Sequence, residues 1–168
     1  MIEVCREHAV ALAVNCARRW NPLFSEARRL IDSGELGDLL QITVYAECGL
    51  SHNGSHAIDT IRFLAGGDIE WVFGELESDE VALGEGDPRG NGYLAFDNGV
   101  RAYLRSTPCG AASWDVDVIG TEGRIRSVSN GMEVEYWKLC AGGPRNQRIA
   151  ARFPFPLPAR MQGMGLTI

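Results

Sequence analysis

Apolar positions mix helical and strand spacing up to about residue 65 of this chain and follow strand spacing after it. Residues 1–8 read as the end of a helix, and Val10-Ala11-Leu12-Ala13-Val14 is a short apolar run that predicts a buried strand. Asn21-Pro22 is a helix start, with Asn as N-cap and Pro at the first helical position. Leu23, Ala27, Leu30 and Ile31 give that helix an apolar stripe, and Ser33-Gly34 stops it. Leu40 to Ala46 alternates like a strand with one buried face. A second helix follows Ser55 and closes at Gly66-Gly67. At 100° per residue, Ala57, Ile58, Ile61, Leu64 and Ala65 share one side of it, with His56, Asp59, Thr60 and Phe63 on the other.

Strand signals then dominate. Ile69–Leu76 reads as a strand, and Gly84 to Gly92 as a polar, Gly-rich hairpin loop. Tyr93–Phe96 and Val100–Leu104 flank Asp97-Asn98-Gly99, a strong hairpin signal. Trp114–Ile119, Arg124–Val128 and Met132–Trp137 form a second meander, turned by Gly120-Thr121-Glu122-Gly123 and Ser129-Asn130-Gly131. Short loops demand antiparallel pairing. The expected fold is α+β: a mostly antiparallel open sheet with two or three helices on one face. The other face is left available for dimerisation, with residues such as Trp114, Val116, Val118, Val134 and Tyr136 exposed there in one register and buried in the other. Residues 1–150 make the domain, and 151–168, with Pro154, Pro156 and Pro158, read as an extended tail.

Length and composition fit one domain: 168 residues, 45% hydrophobic and 23% charged. A net charge of −6 argues against nucleic acid or an anionic membrane as partner. Five scattered cysteines, with no Cys-x-x-Cys, read as a reduced protein. No segment has the length of a membrane helix, and the N-terminus lacks the plan of a signal peptide. The expected compartment is the cytoplasm.

Candidate chemistry concentrates between Gly49 and Asp59, which holds two of the three histidines. With the apolar side of the helix packed inward, His56 points to solvent or a cleft, where an imidazole suits proton transfer. The alternative is a histidine hydrogen-bonded at a helix start. His52 and His56 are four residues apart, as in His-Glu-x-x-His, but Asn53-Gly54-Ser55 supplies no base and Gly54 argues against His52 lying inside the helix. No metal site is expected. Asp59 either orients the His56 ring or pairs with Arg18 or Arg62. Arg18 and Arg19 follow a strand end, where ligands are often held; otherwise they are solvated arginines with stems on a Trp. Gly84-Glu85-Gly86-Asp87-Pro88-Arg89-Gly90 is acidic and opens no helix, so no dinucleotide fingerprint is present.

Asn15-x-x-Arg18-Arg19-Trp20-x-Pro22, Ile31-Asp32-Ser33-Gly34-Glu35-Leu36-Gly37, Gly54-Ser55-His56-Ala57-Ile58-Asp59 and Leu64-x-Gly66 together resemble the C-terminal domain of the Gfo/Idh/MocA oxidoreductases. Phe96-Asp97-Asn98-Gly99 and Gly120-Thr121-Glu122-Gly123 match that family's sheet. The resemblance covers roughly residues 1–140. It implies a parent enzyme dependent on NAD or NADP, acting on a sugar or polyol-like substrate, whose separate Rossmann domain holds the cofactor. His56 matches the family's catalytic histidine and Asp59 the acid that commonly follows it. An Asp often stands four residues before that histidine in sugar dehydrogenases of the family; here the position is His52. The resemblance implies substrate contacts from Arg18, Arg19, His52 and Asp59, a homodimer through the sheet, and no cofactor binding by this chain alone. The alternative is a stand-alone, non-catalytic binding or assembly module.

Overall fold

The structure, a computed structural model, describes residues 1–77, 86–107, 114–128, 133–140 and 149–154. Helix α1 (Ile2–Glu7) is followed by a stretch without regular secondary structure and a short 3-10 turn, Ala17–Trp20. Helix α2 (Pro22–Asp32) leads to strand β1 (Leu39–Ala46), which leads to helix α3 (Asn53–Ala65). Seven further strands follow: β2 (Ile69–Leu76), β3 (Gly90–Phe96), β4 (Arg101–Ser106), β5 (Trp114–Gly120), β6 (Gly123–Val128), β7 (Glu133–Cys140) and β8 (Ile149–Pro154). They form one sheet in the order β2-β3-β4-β1-β5-β6-β7-β8. Every pairing is antiparallel except β1 with β4. The α+β architecture with a mostly antiparallel, open sheet is therefore the one expected.

Local signals explain most of the elements. Asn21 caps α2 with its side chain, which accepts from the Leu23 N–H at 2.9 Å. Gly66 ends α3 in the left-handed region, at φ 71°, and its N–H donates to the Arg62 carbonyl. The Asp97-Asn98-Gly99 turn joins β3 to β4. The sheet runs past residue 150 through β8, and residues 155–168 lie outside the described residues, as does the expected turn at Ser129-Asn130-Gly131.

The core lies between the sheet and the helical layer of α2 and α3. Ile42, Val44 and Ala46 of β1, Leu104 of β4, Val116 and Val118 of β5 and Ile125 of β6 meet Phe24, Ala27 and Leu30 of α2 and Ala57, Ile61 and Leu64 of α3. The register left open by the sequence is fixed here, and two expectations change. Trp114, Val116, Val118 and Tyr136 are buried on the helix side, so the open face carries other residues. Thr60 is 1% exposed rather than solvent-facing; its hydroxyl donates to the His56 carbonyl at 2.8 Å, which lets a polar group sit inside. Val10 to Val14 form no strand: the run has no regular secondary structure and is exposed, and helix α1 buries no residue. An apolar run has no strand to pair with unless a neighbouring sheet edge is present.

Candidate functional site

The loop from β1 into α3 brings the two histidines to one end of the helix layer. His52 occupies the N-cap position, outside the helix, and its carbonyl accepts from the Ser55 hydroxyl at 2.6 Å. His56 sits in the first turn of α3, half-buried, with Ala57 buried beside it. The imidazole of His56 therefore borders the surface rather than the core.

Asp59 lies one turn later and is committed to a partner. Arg19 donates to it in a two-pronged contact: Nε to Oδ2 at 2.9 Å and Nη2 to Oδ1 at 2.6 Å. That pairing holds the Asp59 carboxyl below the usual carboxylate range, against partial burial that pushes the other way. The thiol of Cys16 also hydrogen-bonds to Asp59, and burial together with that carboxylate holds the thiol above its ordinary range. The Arg19 guanidinium lies 5.5 Å from the centre of the Phe63 ring, one further turn along α3. Cys16, Arg19, Asp59 and Phe63 thus clasp the 3-10 turn onto α3. This differs from both pairings considered from sequence, Asp59 with Arg18 or with Arg62.

Arg18 points elsewhere. Its guanidinium stacks 3.6 Å from the centre of the Trp114 ring and 6.0 Å from that of Phe24. Burial pulls the Arg18 pKa down. The aromatic under Arg18 is Trp114, seated by the fold, while the sequence neighbour Trp20 is 78% exposed.

Sequence reasoning missed Asp87. Its Oδ1 accepts from the Ser51 N–H at 2.7 Å and from the His52 N–H at 3.3 Å. Leu50 N–H donates to the Pro88 carbonyl at 2.8 Å. The Asp87 carboxylate fills the space a side chain at Gly49 would need, so Gly49 is there for close approach. Asp87 and Pro88 are thus a clamp on the turn that carries His52. The signal was present as Gly49 and Gly54 flanking the histidine, but nothing local names the distant partner. Among the described residues, no three of His, Cys, Asp and Glu converge as metal ligands. No helix of the structure is long and apolar enough to cross a membrane.

A family model, the GFO/IDH/MocA C-terminal domain, matches residues 46–126, from the end of β1 into β6. That matched segment is similar to a Gfo/Idh/MocA C-terminal domain. Over 142 residues it is 27% identical to scyllo-inositol 2-dehydrogenase (NAD(+)) of Bacillus subtilis, covering 73% of this chain and 42% of that protein. Over 149 residues it is 25% identical to D-xylose 1-dehydrogenase [NADP(+)] of Haloarcula marismortui, covering 75% and 41%. The fold matches the WlbA dehydrogenase of Bordetella pertussis, solved with NADH and UDP-GlcNAcA, with a TM-score of 0.70 at 18% identity over 87% of this chain and 52% of that one. The chain therefore spans less than half the length of these curated relatives.

Proposed function

We propose that this Gfo/Idh/MocA domain is the substrate-binding and dimerisation part of an NAD(P)-dependent oxidoreductase acting on a sugar or polyol-like compound. The observation that carries the reading is His56: a half-buried imidazole in the first turn of α3, on a helix clasped in place from outside by Arg19. In a two-domain enzyme His56 would take the proton from a substrate hydroxyl, and NAD(P) held by a separate domain would supply the hydride acceptor. This chain supplies the proton acceptor and the substrate wall.

The remaining site residues divide by their commitments. His52, at the N-cap of α3, and Arg18, stacked on Trp114, are the side chains we assign to substrate oxygens. Arg19 and Asp59, bound to each other, act mainly by holding the 3-10 turn and α3 in register. A Gly-rich strand-turn-helix that could seat a pyrophosphate is absent from the sequence, which supports cofactor binding by a separate domain. Dimerisation through the open sheet face is supported by its aromatic residues Tyr45, Trp71, Phe73 and Tyr103, all exposed.

The test is reconstitution. The chain joined to an NAD(P)-binding domain of the family should oxidise at least one member of a panel of cyclic polyols and aldoses with NAD or NADP. The chain alone should bind neither cofactor by calorimetry. A micromolar dissociation constant for either cofactor, or no turnover on the panel by a folded two-domain protein, overturns the reading.

A further inference from the structure

Strand β2 closes one edge of the sheet: β3 pairs with one side of it, and no described strand pairs with the other. Every residue from Glu70 to Leu76 is exposed. Trp71, Val72 and Phe73 are consecutive and are 49%, 60% and 74% exposed. Soluble proteins usually blunt such an edge with lysine, proline or a short strand. Here the strand is 8 residues long, with neither lysine nor proline, and its only charges are Glu70 and Glu75. A bulge between Ile69 and Trp71 lies at one end of the strand and leaves Trp71 to Leu76 in regular register with β3.

Apolar surface runs up to this edge on both faces. On the helix side, Leu50, Ile58, Val72, Leu76, Leu94 and Leu104 line a groove of about 370 Å³. On the open side, Trp71 packs 5.3 Å from Tyr93, ring centre to ring centre, and Tyr93 lies 5.0 Å from Tyr103. A strand added along β2 would extend the sheet in its plane and lengthen both of these apolar faces.

We propose that the added strand is β2 of a second copy of this chain, antiparallel, about a two-fold axis at Val72. The sequence of β2 is self-complementary in that register. Val72 meets Val72 of the second copy on the helix side, and each Trp71 meets the other copy's Phe73 on the open side. Glu70 falls opposite Gly74 and Glu75 opposite Ile69, so no acid opposes an acid. A one-residue slip in either direction joins the helix face of one copy to the open face of the other, and in one direction it also sets Glu70 against Glu75. Two-residue slips keep the faces but set Trp71 against Glu75, or Phe73 against Ile69. Trp71, Val72, Phe73 and Leu76 present on the order of 450 Å² of exposed side chain per copy, so two copies together approach the roughly 1,000 Å² that a specific interface must clear. This contact differs from the open-face dimer and does not depend on the enzymatic reading; with both, the assembly is a tetramer of two-fold symmetry.

The test is cysteine cross-linking at micromolar concentration under mild oxidation, with the unmodified chain and its own cysteines as baseline. Directly opposed Cβ atoms in an antiparallel pair lie about 4.5–5.5 Å apart, close enough to bridge with small adjustment. Val72→Cys should give a reducible dimer well above baseline, Trp71→Cys alone should not, and Trp71→Cys with Phe73→Cys should regain it. Tyr103→Cys reports the open face separately. A Val72→Cys yield at baseline, or equal to that of Trp71→Cys, overturns the proposal; so does cross-linking by Tyr103→Cys alone, which would mean that copies meet only through the open face.

Discussion

The two faces of the sheet are built from the same strands and obey different rules. On the covered face, β1 presents Ile42, Val44 and Ala46, all fully buried under α2 and α3. On the open face the same strand presents Gln41, Thr43 and Tyr45. The covered face is uniformly apolar because it has one task, to exclude water. The open face is divided. Toward β2 it is aromatic, with Trp71, Phe73, Tyr93 and Tyr103; toward β6 it is ionic, with Arg124 donating to Asp117 across the β5–β6 pair. A face that water alone covered would have no use for the aromatic half. The contrast separates residues that make the fold from residues that the fold leaves on the surface.

The sharpest way to break the contrast is to empty the covered face. Ile61 is fully buried in α3 against the sheet. Ile61→Ala should cost about 2–5 kcal/mol in urea unfolding, from lost burial plus a cavity. A loss under 1 kcal/mol would mean that the helices rest loosely on the sheet.

A smaller effect is expected at the clasp outside the helix layer. Asp59→Asn should cost about 1 kcal/mol, because Arg19 is partly exposed and solvent screens the pair. The loss should depend on pH in a definite sense. Arg19 lowers the Asp59 pKa in the folded state, so its contribution is complete above about pH 4 and fades as pH falls through the lower folded value. Urea midpoints of the parent and of Asp59→Asn should therefore converge on acidification. A gap that stays constant down to pH 2 would remove the clasp from the account.

The smallest effect belongs to the polar part of the open face. Thr43→Val should move stability by no more than about 0.5 kcal/mol, since Thr43 faces away from the core. A large loss there would erase the distinction between the faces.

How much of this the sequence disclosed depends on whether the cause was local. Asn21-Pro22 and Asp97-Asn98-Gly99 announce a helix start and a hairpin through backbone geometry that neighbours alone determine. The place of His56 on α3 followed from helical period. The side on which Trp114 and Val116 fall was not legible, because a one-residue register shift exchanges the faces and register is set across strands. Thr60 was misplaced because a helical wheel does not show that a hydroxyl can satisfy itself on the carbonyl four residues back. The pairing of Asp59 with Arg19, 40 residues apart in sequence, and the clamp of Asp87 on Ser51 and His52 are long-range contacts without a local signature.

The central claim is that the helix start at Asn53 presents a catalytic base. The most direct measurement is kcat of His56→Asn in the chain joined to an NAD(P)-binding domain of the family, with folding verified by circular dichroism. The account predicts a fall of about 10²- to 10⁴-fold, the usual contribution of a general base. Turnover within about threefold of the parent would contradict it.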